Sequence, residues 1–490
     1  MTYSVLLTIV VAFYGCLWFF DSFFKSCMHY PYFAFLEGTG LKIGIFNFSW
    51  TTTAFNRQIF VCSKKLTRLL RKWFYFGCYF TLFLFLPFSI WTLLSLAFEN
   101  MYSSLGNANA PEVKALLPGV NIPASDFWVY FLAVGISTII HELGHAMAAV
   151  EEGVQLIAIG FQVFTIMPIA KVHLYTDNMN SINIMQRLKI ICAGVWHNIV
   201  LAFVAVLLFF SSPVLFSIGY ETDVGVRVAG FSDNSPLNAD RGLKLNDVIT
   251  SINSCDIKNS KDWSHCLHIA YDRIGICTNE DYLTEHSDDM TSDASQCCRK
   301  NDIHSICFEF ALIKDPNEMV LPTQYVCLRP RDMIENKLTK CVEQKSYRCP
   351  QSTHCLKPVL NNSTYLIVVE RKDNSPILYL GLPYDFHQTV LVDQYFPRNI
   401  LFSLFSPTQL EKLLKYTFIF SLGIGFLNVI PCYGTDGHHI ARNLIQLLAK
   451  ATNKSNNFVN LVTVIVVFTG TAVTVPILIY LFYKAIYENM

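Results

Sequence analysis

The chain has 490 residues, 52% of them hydrophobic and only 15% charged, against roughly 25% charged in ordinary soluble domains. With 37 basic and 37 acidic side chains the formal net charge is zero, and no charged tail is present, so nothing in the composition points to direct nucleic-acid binding. The apolar excess comes in blocks, which excludes a single soluble globule and directs attention to a multi-pass membrane chain.

Six blocks are long enough to cross a bilayer at about 1.5 Å per residue: Thr2 to Phe20, Trp73 to Phe98, Asp126 to Val150, Leu188 to Phe210, Tyr416 to Ile430 with part of its flanks, and Phe458 to Tyr483. The first lacks a basic leader region and a small-residue cleavage site, so it is read as a retained helix. The loop that follows ends in Arg57, Lys64, Lys65, Arg68, Arg71 and Lys72, which the positive-inside rule places in the cytosol. Within it, Gly38 to Thr53 alternates β-forming residues around glycines and predicts a hairpin-like element, available for packing or as an edge for an added peptide strand. Domain 1–98 therefore holds two helices, a basic cytosolic loop and this hairpin.

The third block carries His141-Glu142-Leu143-Gly144-His145. Two histidines four apart share one helix face and can grip a tetrahedral zinc, while Glu142 can take a proton from a water the metal has made acidic. Ionisable groups near a bilayer centre cost roughly 2.5–3.5 kcal/mol each on insertion scales, so three of them so close together require a function. Gly153 to Val172, apolar and broken by Pro168, reads as a second sheet-like piece. The fourth block contains Ala193-Gly194-Val195-Trp196-His197-Asn198. There Asn198 is either an interhelical hydrogen bond or a catalytic donor to a tetrahedral oxyanion. Residues 126–220 and 396–490 together form the expected catalytic membrane core.

Between them, residues 221–395 form a polar domain. Its opening, with Ser235-Pro236-Leu237 and the alternating Leu245 to Asn253, resembles a PDZ domain, and a cysteine-rich insertion is expected at 266–355. Of 16 cysteines, ten fall between Cys255 and Cys355, an even and dense set that points to disulfides and an oxidising lumen. The fold class expected is thus an all-α membrane bundle of about six helices with short membrane-associated β elements, plus a lumenal PDZ-like α+β domain.

The fifth block ends in Asn428-Val429-Ile430-Pro431, and Asp436-Gly437 follows. Catalytic zinc takes three protein ligands as a rule. Glu151, six residues after His145, lacks the glycine that would turn the chain back, so Asp436 is the better third ligand.

These motifs together resemble the site-2 protease family of intramembrane zinc metalloproteases. The resemblance implies Zn2+ held by His141, His145 and Asp436, with Glu142 as general base and acid. It further implies a substrate that is a membrane-anchored transcription factor with one transmembrane helix, of the sterol regulatory element-binding protein type. Such a substrate is cut first on its lumenal side, and its cytosolic fragment is released from a Golgi or endoplasmic reticulum membrane. One departure from the family's Leu-Asp-Gly is Thr435 in place of the leucine. The rival expectation is a non-catalytic membrane metal protein, either a zinc transporter or an inactive chaperone-like relative.

Overall fold

The computed structural model describes residues 3–103 and 126–487, except 233–234, 239–241, 272–273, 286–289, 299–304, 311–322, 336–339, 343–348, 350–352, 362–363, 400 and 403–405. Most of the connection read between the second and third blocks lies outside the described residues. The chain divides into two compact units, Met1–Ser212 with Gln409–Met490, and Pro213–Thr408.

Among the described residues of the first unit, six helices are long and apolar enough to cross a membrane: Thr8–Ser26, Thr67–Phe98, Phe127–Glu151, Ile184–Phe216, Pro407–Val429 and Asn456–Tyr487. In chain order its helices are α1 (Tyr3–Ser26), α2 (Tyr30–Thr39), α3 (Asn56–Lys65), α4 (Thr67–Phe80), α5 (Leu86–Ser103), α6 (Phe127–Glu151), α7 (Thr176–Ser181), α8 (Ile184–Phe216), α9 (Pro407–Val429), α10 (Asp436–Ala451) and α11 (Asn456–Tyr487). A π-helical turn at Thr81–Phe85 joins α4 to α5.

The fifth span is longer than its apolar letters indicate, because its charged early residues are paired inside the bundle. Glu411 accepts a hydrogen bond from Ser212 Oγ at 2.7 Å, and Lys412 Nζ reaches Asp126 Oδ1 at 2.8 Å. That second pair ties the start of α9 to the start of α6, and Tyr130 and Phe420 meet edge to face just beyond it. The two helices therefore run side by side in one direction.

The two sheet-like pieces form one sheet. Strands β1 (Leu41–Gly44), β2 (Asn47–Thr52), β3 (Leu156–Phe164) and β4 (Met167–Leu174) pair in the order β1-β2-β3-β4, every pair antiparallel. Its turns are apolar, with Ile45 67% exposed. Tyr14, inside the first apolar span, donates its hydroxyl to Thr165 O at 2.9 Å. Backbone at that depth needs internal partners, and the ladder supplies them everywhere except along the outer edges of β1 and β4.

Helix α10 was not legible as an apolar block. It is amphipathic: Ile440 and Ala449 are buried while His439 and Arg442 are exposed. Beneath the bundle core, Lys189 Nζ lies 2.5 Å from Glu151 Oε2 and also contacts Glu152. The Lys189 side chain is 1% exposed, and Arg71 Nε closes on Glu151 Oε1 at 3.0 Å.

In the second unit, a five-strand path runs Ile377–Gly381, Tyr365–Arg371, Val248–Ile252, Val226–Phe231, Val390–Asp393, with Cys255–Asp256 pairing beside it. Trp263, Cys266 and Leu267, on the helix Ser260–Ile269, are packed into the core of this sheet. A second six-stranded sheet follows, with its own core of Ile276, Phe308, Val326 and Leu356.

All ten cysteines of this region are paired: Cys255–Cys266, Cys277–Cys349, Cys297–Cys307, Cys298–Cys327 and Cys341–Cys355. Cys277, Cys341 and Cys349 approach closely enough to hold a metal, but each thiol is spent in a disulfide. The Cys277–Cys349 bridge closes 72 residues, worth about 4 kcal/mol in the chain-entropy account.

Candidate metal centre

An uninterrupted helix carries His141 and His145, and one turn of rise puts both imidazoles on the face toward α8 and the start of α10. His141 Nε2 is 3.0 Å from Asp436 Oδ2, His145 Nε2 is 3.2 Å from the same oxygen, and the two Nε2 atoms are 3.2 Å apart. Ligand atoms 2.0–2.1 Å from a tetrahedral ion stand about 3.3 Å from one another, so this triangle has the dimensions of a zinc face with a fourth position open. Burial alone would raise the Asp436 carboxyl, but the His145 and His141 rings outweigh it and hold the group well below the usual carboxylate range.

The opposite ring nitrogens are fixed as well. His145 Nδ1 lies 2.9 Å from Ile190 O, which sets a tautomer with Nε2 free as a ligand. His141 Nδ1 lies 3.2 Å from the amide of Asn198. That amide is on the edge of the ring facing away from Asp436, and Asn198 is fully buried. The geometry therefore places Asn198 behind the His141 imidazole, in hydrogen-bond reach of the ring nitrogen opposite Asp436. Asn198 Oδ1 has no hydrogen-bond partner among the chain's described residues. Turned over, the amide lets Oδ1 accept from a protonated Nδ1, the arrangement a metal-bound His141 demands.

Gly194 provides the room. A Cβ there would stand 2.4 Å from His145 Nε2 and 2.8 Å from His141 Nε2, inside the space the ion needs. One Cβ on Gly144 would likewise meet Ala193 O at 2.6 Å, so this glycine pair lets α6 and α8 close on each other. Gly194→Ala should lower zinc content by more than about tenfold while the chain still inserts. Metal analysis of the purified variant checks this, and full zinc occupancy would contradict the assignment of that space.

Glu142 points the other way round the helix, and its Oε2 accepts from Val172 N of β4 at 2.8 Å. It stands between two cavities. A polar one of about 500 Å³ is shared with His145 and Asp436. An apolar one of about 600 Å³ lies between Ile139, Leu143 and Ala146 of α6 and Trp50, Phe161 and Val172 of the sheet.

Glu151, the rejected alternative ligand, is taken up by Lys189 and Arg71. The Ile190 carbonyl, the Val172 N–H and the space at Gly194 have no side-chain signature. Only the Gly within Ala193-Gly194-Val195 hinted at a close approach.

A family model described as Peptidase family M50 matches residues 129–470. An Arabidopsis thaliana protein named "Membrane-bound transcription factor site-2 protease homolog" is 25% identical over 447 residues, covering 80% of this chain and 84% of that protein.

Proposed function

Since the chain belongs to peptidase family M50, the site-2 protease family, we propose that it is a zinc-dependent protease cutting a peptide bond inside the membrane. The substrate in this reading is the transmembrane helix of a membrane-anchored transcription factor, of the sterol regulatory element-binding protein type, already cut on its lumenal side. The observation that carries the reading is the triangle of His141 Nε2, His145 Nε2 and Asp436 Oδ2 with Glu142 beside it. We assign those three atoms to zinc, which when bound supplies Lewis acidity toward a carbonyl and makes a water acidic.

The chain's own residues do the rest. The apolar cavity beside Glu142 receives the substrate segment, which must unwind there because helical carbonyls are tied up in backbone bonds. The outer edge of β4, beside Glu142, offers backbone partners to an extended segment. Glu142, held through Oε2 by the Val172 N–H, accepts the water's proton and passes it to the leaving nitrogen. Ile190 O and Asn198 hold the two imidazoles in position. Glu142 beside the donor triangle favours catalysis over a zinc transporter or an inactive relative, since holding metal does not require it.

We place the unit Pro213–Thr408 in the lumen of the endoplasmic reticulum or Golgi, because five disulfides need an oxidising compartment. Its first sheet we read as PDZ-like. The deciding experiment is cleavage of a helical substrate in vesicles by purified protein. Cleavage should stop with a chelator and return with zinc, and chelator-insensitive cleavage would refute the metal's part.

A further inference from the structure

The polar cavity at the candidate metal centre extends past the donor atoms along one face of α10. Asp436, His439, Arg442, Asn443 and Gln446 all line it, and their spacing of three and four residues is that of a single helical stripe. Arg187, one turn before Ile190 and Ile191 on α8, lines the facing wall. The only carboxylates on this lining are Glu142 and Asp436, the first held by Val172 N–H and the second turned to the imidazoles. Arg187 and Arg442 have no carboxylate partner among the described residues.

Two further atoms on this lining have no hydrogen-bond partner among the chain's described residues. Arg187 Nε is buried without a hydrogen-bond partner, and so is Asn443 Oδ1, on a side chain only 6% exposed. Asn443 Nδ2 is already spent on His439 O at 2.7 Å, so reversing the amide gives no relief. Buried polar atoms left unpaired are costly and few. The cavity thus offers two guanidinium groups and one acceptor, which is the complement of a peptide residue bearing a carboxylate and a backbone N–H.

We propose that this end of the cavity is a carboxylate subsite for the peptide being cut, with Arg187 and Arg442 pairing with the anion and Asn443 accepting the N–H. The inference rests on the protease reading above. Arg442 follows Asp436 by six positions, about 9 Å along the helix, which an extended peptide covers in two or three residues. The carboxylate has two sources. It is either an acidic side chain two or three residues from the cut, or the new C-terminus that hydrolysis creates, once it has moved off the metal.

Binding separates this inference from the protease reading, because it needs no turnover. The full chain carrying Glu142→Gln, in phosphatidylcholine vesicles, is titrated with two pairs of fluorescent peptides. One pair differs by Glu or Gln at those positions, the other by a C-terminal acid or amide. In at least one pair the anionic member should bind about fivefold more tightly, and the ratio should fall toward one when Arg187→Met or Arg442→Met is added. The terminal acid can also meet the metal, so the informative figure is the change in ratio between parent and variant. Arg187→Lys and Arg442→Lys should keep much of the preference, and unchanged binding of the neutral peptides shows that the variants are folded. A side-chain source moves the Glu/Gln ratio, a terminal source the acid/amide ratio. No preference in either pair, or a preference that survives both Met substitutions, overturns the subsite. If these preferences are found but the chain with Glu142 intact cuts nothing in the cleavage assay, the protease reading fails instead.

Discussion

Glu142→Gln should leave zinc content unchanged and lower peptide cleavage by about 10²- to 10⁴-fold. The amide has the same shape and can still accept from Val172 N, which now bonds Glu142 Oε2 at 2.8 Å, so the local packing survives. What it loses is basicity: no proton can be taken from water or handed to the leaving nitrogen. Because Glu142 is not among the three converging donor atoms, metal occupancy is a separate reading of the same sample. Cleavage rate and zinc per chain measured together decide it, and substantial cleavage by a zinc-loaded variant would remove Glu142 from its assigned part.

The second large effect separates two carboxylates. Asp436→Ala should lower zinc affinity by more than about 100-fold and abolish cleavage, since two imidazoles alone make an incomplete catalytic site. Glu151→Ala acts on folding rather than on the metal. The Glu151 side chain is 1% exposed and answers the buried Lys189, and removing one partner of a buried pair costs about 3–5 kcal/mol. Glu152 also contacts Lys189 and offsets part of the loss. Glu151→Ala should therefore reduce the yield of folded protein while each folded chain keeps its zinc. Zinc per folded chain is the number to compare. Metal lost from the Glu151 variant and retained in the Asp436 variant would reverse the assignment.

The sequence carried the parts whose chemistry is local. Apolar runs mark the spans because lipid rewards length and hydrophobicity together, and His141, Glu142 and His145 declare themselves by helical spacing in a segment otherwise almost free of charge. Helix α10 escaped because an amphipathic helix has no apolar run. Its signals were Thr435 preceding Asp436, an acid in the first turn, and Lys450 in the last. The joining of Gly38 to Thr53 with Gly153 to Val172 in one sheet could not be read, because alternation marks a strand but not its neighbour. Asn198 was ambiguous for a similar reason: a buried amide needs a partner, and only the fold says that the partner is His141. Lys189 sits with its charge inside an apolar run, and its two carboxylate partners are visible only once α6 and α8 are packed.

The wide separation of the donors along the chain also has a consequence in time. Asp436 follows His141 by 295 residues, and at about 5–20 residues per second a ribosome needs roughly 15–60 s to cover that distance. During that interval α6 is already made, and its two histidines have no third donor. A nascent chain therefore shares the insertion machinery with other newly made spans while it is still harmless to them, and it becomes a protease only when α10 has been synthesised and docked.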